Sequence, residues 1–186
     1  MPPGASWLES SAWPAHRPWP PQKPRIGLVW AAGRKLAEPF TAREYHRRSL
    51  DGGALGHLIT GLHGLGVEIV LLQFGEDREQ ANPWLPLVAD ALPADADFAA
   101  TAAVLAELDL VISVDTSMAH LVGAMRRRGW VLLPHAAAPR WLRQRSETPW
   151  YPSLRLFRQP NTGDWDGVVN QVLTQLAQEL DQARSR

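Results

Sequence analysis

Hydrophobic positions along this chain come in two textures. Short runs that are apolar throughout occupy residues 25–31 (RIGLVWA), 67–73 (VEIVLLQ), 109–114 (DLVISV), 130–133 (WVLL) and 154–157 (LRLF). Between them, apolar residues return at helical spacing: Leu55, Leu58, Ile59 and Leu62 over 51–65, with Gly66 placed to stop the helix, and Phe98, Ala102 and Leu105 over 97–108, with Asp97 placed to cap it. A helix is also expected over 116–125, and Asp164 opens a last one whose Val168, Val169, Val172, Leu173, Leu176 and Leu180 share a face. Strands that do not alternate with polar residues are buried on both faces, so strands alternating with helices imply a parallel sheet covered on each side. The expected fold is therefore α/β: a doubly wound, Rossmann-like sheet of about five strands. Such sheets bind ligands beyond the carboxyl ends of their strands, which places the functional residues just after Ala31, Gln73, Val114, Leu133 and Phe157.

The leading segment has a different texture. Residues 1–24 hold Pro2, Pro3, Pro14, Pro18, Pro20, Pro21 and Pro24 together with Trp7, Trp13 and Trp19, and read as a leader or linker without regular structure. Indoles are costly to leave in water, so part of this arm is expected to lie against the domain or a partner. Residues 25–186 form the domain, and a chain of 186 residues, 45% of them hydrophobic, can bury one full core.

Charge and cysteine usage narrow the function. Nineteen basic and nineteen acidic residues cancel, so no global field favours nucleic acid or an anionic membrane, and phosphate recognition has to be local. Cysteine is absent, which excludes disulfides, thiolate nucleophiles and cysteine-ligated zinc and agrees with a cytoplasmic protein. No apolar run is long enough for a membrane span, and no signal peptide is read at the N-terminus.

The segment Asp115-Thr116-Ser117-Met118-Ala119-His120 carries the clearest chemistry. Small polar residues there open a helix directly after a strand, where free backbone N–H groups and the positive helix end favour a phosphate. The plainer alternative is that Asp115 or Thr116 caps the helix and His120 is structural. A basic loop after the first strand holds Arg34, Lys35, Arg43, Arg47, Arg48 and Ser49 against Glu38 and Glu44, and can deliver a guanidinium to a diphosphate or simply be solvated. Arg126, Arg127 and Arg128 follow a helix and can complement its negative end. Trp141, Trp150 and Tyr151 can stack on a nucleobase or pack in the core.

Several chemistries lack their pattern. Ser113, Asp115, Ser117 and His120 are too close in sequence for a hydrolase triad, and neither a G-x-S-x-G elbow nor a Walker loop occurs. The glycines of 52–56 do not follow a strand as a dinucleotide fingerprint requires, and His46, His57, His63 and His135 have no metal-ligand spacing.

Taken in order, RIGLVWAAG at 25–33, RRSL at 47–50, DLVISVDTSMAHLVGAM at 109–125, WVLLP at 130–134 and TPWYPSLRLFRQPNTGDWDGV at 148–168 resemble the carboxyl-terminal lobe of glycosyltransferase family 9. This is the ADP-heptose:lipopolysaccharide heptosyltransferase family, and the likeness is strongest to its relatives fused to tetratricopeptide repeats. The resemblance implies one half of a GT-B fold, in which this lobe holds a nucleoside-diphosphate sugar and no cofactor or metal takes part. It implies donor-binding roles for Arg48, Ser49, Gln73, Asp115, Thr116, Ser117 and His120, with Trp141 and Tyr151 nearby. Transfer in that family inverts the anomeric centre, and its base sits in the other lobe, so a partner lobe in another chain or a homo-oligomer is implied. Two departures stand out. The relatives' Pro-Asp-Trp-Arg-Trp run reads Ala137-Ala138-Pro139-Arg140-Trp141 here, and the Asn-Asp-Arg run of the first loop is missing. These departures motivate the alternative of a non-catalytic binding or assembly module.

Overall fold

The computed structural model describes residues 19–20, 23–34, 36–93, 95–143 and 145–185. Trp7, Trp13 and Lys35, named above, lie outside the described residues.

All five apolar runs form strands: β1 (Arg25–Val29), β2 (Glu68–Leu71), β4 (Leu110–Val114), β5 (Gly129–Leu133) and β6 (Leu154–Arg158). A sixth, β3 (Val88–Asp90), was not expected. It is three residues long and only partly buried, so no apolar run announces it. The six strands are all parallel and ordered β3-β2-β1-β4-β5-β6. Chain direction across the sheet reverses between β1 and β4, and that junction is where a doubly wound sheet opens a crevice.

Helices cover both faces. On one side α2 (Gly52–Gly64) and α5 (Trp165–Arg184) bury Leu55, Ile59, Val168 and Val172 against Ile26, Leu28, Ile112 and Trp130. On the other, α3 (Phe98–Ala106) and α4 (Ser117–Ala124) bury Leu105, Met118 and Val122 against Val70, Val111 and Val131. Successive strand residues thus feed opposite cores, as the uninterrupted apolar runs require. α2 stops as expected: Gly66 takes φ +78 and donates to the His63 carbonyl at 3.0 Å.

The basic segment after β1 is a correction. Residues expected as a loop form α1 (Pro39–Arg48), which buries only Tyr45 of its ten residues and therefore carries almost no apolar periodicity. Trp19, at the end of the leader, packs against the core, with the Arg128 guanidinium 4.1 Å from its ring centre. Arg128 is itself ion-paired with Glu179 of α5, and Arg127 donates to the Leu108 carbonyl at 2.7 Å. The arginines after α4 therefore tie neighbouring elements together instead of serving only its negative end.

Candidate functional site

Three helices open with an aspartate whose carboxylate accepts a backbone N–H of the first turn: Asp51 from Ala54, Asp97 from Ala100 and Asp164 from Gly167. α4 is different. Its N-cap residue Thr116 makes no side-chain cap. Ser113 Oγ gives its proton to the Val114 carbonyl, so the 3.2 Å contact between the two hydroxyls is donated by Thr116, toward the strand and away from the helix. No side chain caps the first N–H groups of α4, which carry the positive end of the helix.

The start of α4 lies at a cleft of about 870 Å³ at the carboxyl ends of β1, β2 and β4, lined by Ala31–Arg34, Gln73–Gly75 and Thr116–Met118 among others. Phe98 and Leu36 stand at the cleft with much of their surface in water. Arg34 contributes a guanidinium there, paired with Glu76 at 2.8 Å. Asp77, which also lines the cleft, is buried and accepts from Tyr45 at 2.5 Å and from Gln80 at 2.8 Å. Burial, and then that hydrogen bond to a carboxylate, push the Tyr45 phenol above its usual range.

The other expected residues divide by what already occupies them. Gln73 lines the cleft, but its carbonyl oxygen accepts from Trp30 N and Ala31 N, and its amide nitrogen donates to Ala31 and Phe74 carbonyls. It shapes the β1 end and has little left for a ligand. Ser49 is buried and its Oγ accepts from Ala32 N at 3.0 Å. Arg48 donates to the Asp115 carbonyl at 3.1 Å, which places its guanidinium beside the turn that opens α4. Asp115 is 2% exposed, and both its carboxylate oxygens accept from Arg140, at 3.2 and 3.0 Å.

His120 stacks on Trp141, ring centres 5.4 Å apart at 21°, and its Nδ1 lies 3.2 Å from the Tyr151 hydroxyl. Trp141 is buried, so it serves as a wall of the site rather than an open stacking surface. Tyr151 lies flat enough on α4 that a Cβ on Gly123 would meet its ring at 2.4 Å, so a side chain there would displace the loop. Leu142, next to Trp141, holds φ +53, and Arg158 fixes this turn by donating to its carbonyl at 2.6 Å. Arg140 escaped the sequence reading as a site residue. Nothing in a spacing of 25 residues announces its pairing with Asp115.

No protein-family model matches the chain. The protein FlbA of Caulobacter vibrioides is 30% identical to it over 163 residues, which are 82% of this chain and 25% of FlbA. Among solved structures, E. coli ADP-heptose LPS heptosyltransferase II superposes with a TM-score of 0.59 at 17% identity, covering 88% of this chain and 47% of that one. The E. coli heptosyltransferase WaaC with ADP-2-deoxy-2-fluoro heptose gives 0.58 at 19% identity, over 87% of this chain and 45% of WaaC. The chain spans a quarter of FlbA and under half of either solved enzyme. It has the α/β, Rossmann-like fold of one half of these glycosyltransferases, so the likeness read from its five segments holds in three dimensions. None of the helices among the described residues is long and apolar enough to cross a membrane.

Proposed function

We propose that this chain is the nucleotide-sugar-binding lobe of a glycosyltransferase. The observation that carries the reading is the uncapped N-terminus of α4, opening at the sheet's switch point onto a cleft large enough for a nucleotide. The diphosphate of the donor lies on the α4 N–H groups, with Arg34 and Arg48 near it, and the base lies in the cleft toward Phe74 and Phe98. The likeness of fold supports the reading of a nucleotide-sugar-binding lobe, since WaaC has been solved with ADP and with an ADP-sugar analogue.

Transfer proceeds with inversion and without a metal, the helix end and guanidinium groups stabilising the leaving nucleoside diphosphate. The carboxylates at and beside the cleft are already engaged, Asp115 by Arg140, Glu76 by Arg34, Asp77 by Tyr45 and Gln80, and Asp97 by the start of α3, so the base that activates the acceptor comes from a second lobe. That lobe also covers the open side of the cleft and excludes water. Residues 25–186 form the binding lobe, and residues 1–24 link it to whatever it docks on.

Calorimetric titration with ADP, UDP, GDP and their sugar esters tests the reading. One base is expected to bind clearly more tightly than the others, and absence of binding at millimolar ligand sinks the proposal. His120→Ala is expected to weaken the preferred ligand by about 1–3 kcal/mol if the histidine contacts charged phosphate. A large loss of melting temperature with unchanged affinity would make it structural.

A second reading has its own observation. Gln73 and Ser49 are taken up by internal hydrogen bonds, which suits a binding or assembly module whose donor site has decayed. Such a module shows no nucleotide-dependent rise in melting temperature, where an occupied site is stabilised by mass action.

A further inference from the structure

A second cavity, of about 680 Å³, opens between α1, the start of α2 and the carboxyl ends of β5 and β6. It shares no lining residue with the large cleft, although the two have a common wall. Tyr45 and Gln80 line this cavity and hold Asp77, which lines the cleft, and Ser49 accepts in the same way from Ala32 N. Leu50, Pro134 and Trp165 add buried apolar surface.

The polar lining is strongly one-sided. Arg43, His46 and Arg47 of α1 face His135 of the loop after β5, and the one carboxylate that lines the cavity, Asp51, is occupied in capping α2. Arg47 is spent on Glu44, at 2.9 and 2.6 Å, and on the Ala136 carbonyl. No hydrogen bond among the described residues uses the side chain of Arg43, His46 or Thr162, all of which line the cavity. His135 is held firmly for an exposed residue: its backbone N donates to the buried Gln159 Oε1 at 3.1 Å, and its Nδ1 lies 3.1 Å from the Gln159 carbonyl. A carbonyl only accepts, so Nδ1 carries the proton and Nε2 is the nitrogen without a described partner.

An unpaired guanidinium with two imidazoles beside it, and no free carboxylate in the lining, favours a group with several negatively charged oxygens. The volume and the apolar wall exceed what a bare ion fills, and suit an organic body attached to that group. We infer that this cavity is a second ligand site, which takes a small organic anion: a phosphate or carboxylate carried on a body of sugar size. The site is separate from the donor cleft and does not rest on the donor-lobe reading.

Calorimetry on the whole chain with glucose 6-phosphate, glucuronate and glucose tests it, in the parent protein and in a double variant, Arg43→Gln with His46→Gln. Both exchanged side chains are exposed, so the melting temperature is expected to hold. At least one of the two acids is expected to bind about tenfold more tightly than glucose or better, and the double variant to lose about tenfold of that affinity. The acid that binds names the anionic group. Ring C–H resonances of His46 and His135, assigned from their loss in His46→Gln and His135→Gln, are expected to shift with that acid and stay put with glucose. Acids that bind no better than glucose, failure of both to bind at millimolar concentration, or acid binding that the double variant leaves unchanged overturns the site. Displacement of the bound acid by ADP would show a single shared cleft and overturn it as well. Where ADP, UDP and GDP all fail to bind but the acid does, the donor-lobe reading falls and the second site stands.

Discussion

Two kinds of helix start coexist in this molecule. α2, α3 and α5 each begin with an aspartate that turns its carboxylate onto its own first turn, and their positive ends are satisfied from within. α4 also follows an aspartate, Asp115, but that carboxylate points away to Arg140 and the helix end stays open. The same residue type thus caps a helix at three positions and forms an ion pair at the fourth. The difference begins with register: Asp115 stands one residue before the N-cap Thr116, out of capping position, and its carboxylate pairs with Arg140, 25 residues further on, at the sheet's reversal point.

The comparison breaks most visibly at Arg140. Removing it leaves a nearly buried carboxylate without its partner, and Arg140→Gln is expected to destabilise the fold by about 1–3 kcal/mol, below the full cost of a buried pair because Arg140 is half exposed. Asp115→Asn in the same chain should recover most of that loss, measured by urea denaturation. If Arg140→Gln alone is neutral, the pair does not hold Asp115 away from α4.

A smaller effect separates the helix starts directly. Asp164→Ala is expected to cost about 1 kcal/mol of stability through loss of its cap. Ser117→Pro acts on α4 instead. Ser117 is the first residue of that helix, Thr116 before it is extended at φ −138 and ψ 176, and proline is tolerated there while deleting one N–H. It is expected to change stability by less than about 0.5 kcal/mol yet weaken nucleoside-diphosphate binding roughly tenfold. Equal effects of both variants on melting temperature, with no effect on affinity, would put α4 in the same class as its neighbours.

These contrasts also mark how far the sequence could be read. Asp97 and Asp164 were legible as caps because a cap is local: an aspartate, then an apolar face at helical spacing. The strands were legible for the same reason. β3 was not, since Val88–Asp90 has neither length nor full burial, and α1 was not, since Tyr45 alone anchors it. At the site, the Asp115–Ser117 turn was legible as small polar residues at a strand's end. The direction of the Asp115 carboxylate, the internal engagement of Gln73 and the role of Arg140 depend on contacts across the fold, which no local pattern encodes.

The smallest expected effect lies at the opposite end of α4. The helix closes with Arg126 at φ +52, donating to the Gly123 carbonyl at 3.0 Å while Arg127 donates to Val122 at 3.0 Å, a closure that normally carries glycine. An L-residue with a side chain is disfavoured in that conformation, by roughly 1 kcal/mol, whereas glycine enters it freely but loses more chain entropy on folding. The two terms oppose each other. Arg126→Gly is therefore expected to stabilise the domain only slightly, by about 0.5 kcal/mol, and to leave nucleotide binding untouched, because the closing turn lies away from the Ser117 N–H groups. A clear gain or loss of affinity in this variant would mean that the two ends of α4 are coupled, and the open helix start could then no longer be treated as a property of the Asp115–Ser117 turn alone.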